Sequence, residues 1–134
     1  MAAQILILYD QKVKIGPGGD QRKLEIGAFA ISDLNTDVGM KAILLFKVQA
    51  VGAAILTMKL NNATPVVDAY SFNPPEPDSM RARSWHETFV VTRTEHEPTN
   101  TPPHLKQQGN HLVVSATGSG YVEISDIVLL YHAN

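Results

Sequence analysis

Apolar side chains recur at every second position through most of this chain, and that period restricts the fold more than any other feature. A period of two belongs to an extended strand, whose successive side chains point to opposite faces; an amphipathic helix needs 3.6. Within Ala42–Val51, Leu44, Phe46, Val48 and Ala50 share one face, with Lys47 and Gln49 opposite. Ala53–Leu60 groups Ala54, Leu56, Met58 and Leu60 and turns Thr57 and Lys59 outward. Ser84–Thr92 sets Trp85, Glu87, Phe89 and Val91 on one face and Ser84, His86, Thr88 and Val90 on the other. No window of a dozen residues has the helical pattern.

Shorter runs of the same kind are Ile5–Tyr9, Gln11–Ile15 as its continuation after a bend, Lys23–Ser32, Val66–Phe72 and Asn110–Thr117. Strict alternation through Lys23–Ser32 puts Leu24, Ile26, Ala28 and Ala30 on one face and Glu25, Phe29 and Ile31 on the other, with Gly27 as a bulge signal. From Tyr121 onward, Val122 and Ile124 share a face with Ile127, Leu129 and Tyr131, which requires a β-bulge near Asp126. Turns fall at "GPGGD" (16–20), "DLNTDVG" (33–39), "NNATP" (61–65) and Gly118-Ser119-Gly120. "NPPEPDSMRA" is too proline-rich for a central strand, and Arg93–Gly109 is the longest irregular stretch. Eight to nine strands with turns every 8–12 residues predict an all-β fold, an antiparallel β-sandwich of the jelly-roll type, as a single domain over 1–134. In such a fold the last strand lies inside a sheet beside a strand from the first half of the chain.

Composition removes several functions. Eleven basic and thirteen acidic residues are mixed along the chain, so no basic stripe suits it to nucleic acid. There is no cysteine, which rules out disulfides, thiolate nucleophiles and Cys-based metal sites. The longest apolar run, about Ala42–Phe46, is far too short to span a bilayer, so no membrane role is expected. Asp10 follows the first apolar run too soon for a signal peptide, so a cytoplasmic location is expected, with secretion after removal of a signal absent from this chain as the alternative.

The succession "RSWHETFVV", a long loop, "GNHLVVSATG" and "YVEISDIVLLY" resembles the second half of galactose-binding-like jelly rolls, over about residues 42–134. That fold class includes many noncatalytic carbohydrate-binding modules. The resemblance implies a rigid scaffold whose loops hold a carbohydrate or other polar small molecule, without chemistry.

Trp85 is the one tryptophan and stands among Arg83, His86 and Glu87. An exposed indole stacks on the apolar face of a sugar ring while Arg and Glu bond its hydroxyls. The plainer reading has Trp85 anchoring the core with Phe89 and Val91, because aromatics favour interiors. His96 and His104, in the loop around Glu95–His104, complete the candidate ligand-binding set as a rim or as metal ligands. No spaced metal motif is present, and solvated loop histidines are the simpler account. Asp33, Asn35 and Asp37 alternate as in a Ca2+ loop, but Val38 and Leu44 occupy positions where an EF-hand needs Gly and Glu, leaving only a looser calcium site.

The catalytic signals fail. "GSG" supplies three of the five positions of G-x-S-x-G, "GPGGDQRK" lacks the phosphate-loop lysine spacing, and the carboxylates Glu87 and Glu123 suit solvent faces better than acid–base work. No cofactor and no catalytic residue are expected. Two functions lead, and an enzymatic one, which would need a metal or a perturbed acid–base pair in a pocket, stands third. The first is a noncatalytic binding module using Trp85, Arg83, His86, Glu87, His96 and His104. The second is a self-associating structural or assembly protein, a homo-oligomer. Its motive is apolar residues on second faces: Phe29 and Ile31, Val90, and Val128 and Leu130.

Overall fold

The alternating runs become strands in the computed structural model, which describes residues 2–35, 41–61, 65–71, 84–92 and 104–134, with side chains over 3–35, 42–61 and 105–134. In chain order they are β1 (Ala2–Tyr9), β2 (Val13–Ile15), β3 (Lys23–Phe29), β4 (Lys41–Val51), β5 (Ala54–Leu60), β6 (Pro65–Ser71), β7 (Ser84–Thr92), β8 (His104–Leu105), β9 (Asn110–Gly118) and β10 (Tyr121–Ala133). The described residues contain no helix. The larger sheet runs β1-β10-β4-β7-β8, with β2 also paired to β10, and the smaller runs β3-β9-β5-β6. The orders 1-10-4-7 and 3-9-5-6 interleave early and late strands in both layers, which is the jelly-roll arrangement.

β10 is the hub. Its residues Ile127–Ala133 pair antiparallel with β1, and Val122–Ile124 pair with β2 on the same side. Its other side is taken by β4, from Tyr121↔Val51 to Leu130↔Ile43. β1 and β2 are thus one kinked edge, as the bend after Tyr9 implies, and the last strand does lie inside a sheet. The expected bulge is present: the β10–β4 register shifts between Ile124 and Asp126. The extra residue reverses parity, so Val122, Ile124, Ile127 and Leu129 all enter the core. Ser125 sits at this irregularity, and its Oγ is buried with no hydrogen-bond partner among the described residues.

The core lies between the layers. Leu44, Phe46 and Val48 of β4 face Leu56 and Met58 of β5 and Leu112 and Val114 of β9, all at most 3% exposed. β5 alternates buried and part-exposed positions as its sequence requires. Truncating a fully buried aliphatic such as Leu56 to alanine costs about 2–5 kcal/mol.

Two expectations need correction. The β3–β9 register shifts between Gly27 and Phe29. That bulge moves Phe29 to the face of Leu24 and Ile26, where all three pack against the core. Ile31 is buried as well, so neither residue supplies an outward apolar face. His104–Leu105, read as loop, is a short strand that pairs parallel with Val91–Thr92 of β7, one of ten strands among the described residues.

Two polar devices hold the ends of the sandwich. Asn110 is fully buried; its Oδ1 accepts from the Lys106 N–H (2.9 Å) and from Asn61 Nδ2 (3.3 Å). Its Nδ2 donates to the carbonyls of Lys106 (2.7 Å) and Phe29 (3.1 Å). One amide therefore ties the end of β3, the turn after β5 and the turn before β9. At the opposite end, the Gly18 N–H donates to the Gly120 carbonyl (2.9 Å), laying the 16–19 turn on the β9–β10 hairpin. Gly120 has φ +84°, and a Cβ there would collide with the Val51 carbonyl oxygen, so only glycine fits.

Candidate functional site

The outer face of the larger sheet carries a surface that the core does not explain. Its inner side takes the even positions of β4, so Ile43 and Leu45 point outward; parity places Ile5 and Ile7 of β1 and, past the bulge, Val128 and Leu130 of β10 on the same side. The registers align them in two cross-strand rows: Ile5, Leu130 and Ile43, then Ile7, Val128 and Leu45. Ile5 is 65% exposed and Ile7 62%, the two large apolar side chains most open to solvent among the described residues. The four on the central strands are half-buried.

Polar rows bound this patch. Asp126 stands opposite Lys47, then Glu123 opposite Gln49 on one side and Lys14 on the other; at the far end His132 stands opposite Ala3. Lys14 also reaches over the Tyr121 ring, 5.2 Å from its centroid. An apolar patch with a polar rim is the composition of an interaction surface. The outer face of the smaller sheet differs. Lys23 and Glu25 form an exposed ion pair at 3.2 Å, and Thr57, Lys59, His111 and Ser115 are all part or fully exposed. A shallow depression of about 430 Å3 crosses it between Glu25, Gly27, His111 and Val113. It offers one imidazole and one carboxylate, and no cluster of three metal-ligating side chains occurs among the described residues.

The residues predicted for ligand binding spread along β7 and beyond. Trp85 stands level with Lys47, His86 with Phe46 and Glu87 with Leu45 in the β4–β7 register. His104 stands level with Val91, six residues further along β7, roughly 20 Å from the Trp85 level. Arg83 and His96 lie outside the described residues, as do the side chains of Trp85, His86, Glu87 and His104. Glu87 and Glu123 are not neighbours: with β4 between them, their levels differ by four residues, roughly 13 Å along the strand, too far for a glycosidase pair.

Of the candidate calcium residues, Asp33 accepts a hydrogen bond at Oδ1 from Tyr131 Oη at 3.0 Å. Partial burial raises the Tyr131 phenol above its usual pKa, and the hydrogen bond and charge of Asp33 raise it further. Asn35 is buried with its N–H donated to the His132 carbonyl, and Asp37 lies outside the described residues.

Sequence reasoning named Val128 and Leu130 but missed their union with Ile5, Ile7, Ile43 and Leu45. The signal was the second apolar set in each strand; the registers that join the sets are set by pairing across more than eighty residues.

No protein-family model and no curated protein matches the chain. A solved structure described as that of the infectious bursal disease virus Gx strain is similar over 96% of this chain, at 12% identity and a TM-score of 0.48. The match covers 31% of that protein's chain, so this chain spans about a third of its length. The likeness to galactose-binding-like jelly rolls is carried by the sandwich alone.

Proposed function

We propose that this protein is structural: a β-sandwich that associates with copies of itself through its larger sheet. The observation behind this is the pair of aliphatic rows on the outer face of that sheet, against an outer face on the other sheet where Lys23, Glu25, Lys59 and His111 stand among Ile55 and Val113. Covering the open two-thirds of Ile5 and Ile7 gains about 1–2 kcal/mol for each side chain. Two copies together gain about 4–8 kcal/mol, which only begins to offset an association cost of about 4–15 kcal/mol.

Sedimentation velocity over a concentration series tests the reading. The protein should shift to a dimer or larger species at micromolar to millimolar concentration, and an Ile5→Lys variant should stay monomeric. A strict monomer at the highest concentration overturns it. The competing function, a loop-held carbohydrate, rests on Trp85, His86 and Glu87 lying in one strand. It calls for a change in Trp fluorescence on titration with a glycan panel.

A further inference from the structure

We infer that the second copy joins at β1, strand to strand and antiparallel about a twofold axis, so that the larger sheet runs unbroken through both copies. This rests on the self-association just proposed and specifies how it occurs.

The two sheets have four edges, β1, β8, β3 and β6, among the described residues. Free edges invite pairing, and proteins blunt them with charge, proline, bulges or brevity. β8 is two residues long. β3 carries Lys23, Glu25 and the bulge after Gly27. β6 opens with Pro65, contains Asp68 and has two register shifts against β5. β1 is different: "AAQILILY" has eight residues and no charge or proline. Its single irregularity lies at its end, between Ile7 and Tyr9. β10 covers one side of β1, and among the described residues no strand covers the other. The open edge there can take an extended partner, and the uncharged sequence opposes no like charge from a second β1.

Side-chain parity selects the register. Opposed residues share a face, so an antiparallel pair about a twofold must set odd residues against odd. Centring on Leu6 places Ile5 against the second copy's Ile7 and Leu6 against Leu6. The row Ile43–Leu130–Ile5 then continues into Ile7–Val128–Leu45 of the second copy, and two separate apolar patches become one. The edge and the patch therefore point to one occupant, because the pairing that satisfies the backbone also sets the exposed Ile5 and Ile7 of each copy side by side and removes water from their flanks.

The chain has no cysteine, so introduced thiols report without background. Opposed residues in an antiparallel pair have Cα atoms about 4.5–5.5 Å apart, within disulfide range, whereas diagonal ones about 7–8 Å apart fall outside it. The I5C/I7C double variant, mildly oxidised, should give a covalent dimer at least tenfold faster than I5C, I7C or L45C alone. Peptide mapping should join the two engineered positions across chains. Thermal melts of each variant confirm folding, which exposed positions 5 and 7 should tolerate.

If L45C cross-links and I5C/I7C does not, association is face to face: edge pairing is overturned while the assembly reading stands. If I5C alone matches the double variant, the Leu6-centred register is overturned. If nothing cross-links and the unmodified protein is monomeric, both readings fail.

Discussion

Asn110→Ala tests the most demanding polar contact in the molecule. The side-chain amide can offer two donors and two acceptors, and all four are used on groups from three separate segments. Alanine strands the Lys106 N–H and the carbonyls of Lys106 and Phe29, whose bonds lie between 2.7 and 3.1 Å. The Asn61 contact at 3.3 Å adds little. Three lost bonds at about 1 kcal/mol each give about 3 kcal/mol. Water reaching the exposed 106–109 turn brings the cost toward about 2 kcal/mol, and incomplete rehydration at the fully buried site brings it toward about 4 kcal/mol. Against a stability of about 5–15 kcal/mol this is a large fraction. Urea unfolding followed by circular dichroism at one fixed protein concentration reads it directly. With a slope near 1.5 kcal/mol/M the midpoint should fall by about 2 M. An unchanged slope with a shift under about 0.5 M would refute the claim that this amide holds the end of the sandwich.

Gly120→Ala should lower Tm by roughly 10 °C in a calorimetric scan, because φ +84° and the Val51 carbonyl both exclude a Cβ; an unchanged Tm removes the hairpin argument. The raised Tyr131 pKa means that the folded state holds the phenolic proton more tightly than the unfolded state. The resulting stability is complete below about pH 10 and is lost as pH rises through the folded value, so Tyr131→Phe should flatten the decline in denaturation midpoint between roughly pH 9 and 11. Replacing Lys23 with Ala should change stability by less than about 0.5 kcal/mol, because its ion pair with Glu25 is exposed; a larger loss in the same urea assay contradicts that. Ile7→Lys should weaken self-association at least tenfold in sedimentation equilibrium while leaving the far-ultraviolet spectrum intact, since Ile7 contributes to the patch and not to the core.

Much of the sandwich was legible because alternation is a local property. The burial of Leu44, Phe46 and Val48 follows from position alone, and Asp126 betrays the bulge by breaking a run of aliphatics. Gly27 marked the other bulge, but the side on which Phe29 emerges depends on how many residues the partner strand skips, which is a pairing fact. β8 escaped notice because two residues carry no period. The role of Asn110 was invisible for a similar reason: its partners Phe29 and Asn61 lie 81 and 49 residues away. The candidate ligand residues were chosen by type and nearness in sequence. The register separates His104 from Trp85 because length along a strand is distance in space.

The position of β10 also has a consequence for biosynthesis. β1 and β4 never touch each other as neighbours; each leans on β10, whose first residue is made about 120 residues after β1 begins. At ribosomal speeds of about 5–20 residues per second, β1 waits roughly 6–24 s for this strand neighbour. During that interval "AAQILILY" is an uncharged aliphatic segment with both edges open, the part of the nascent polypeptide most in need of a chaperone's cover.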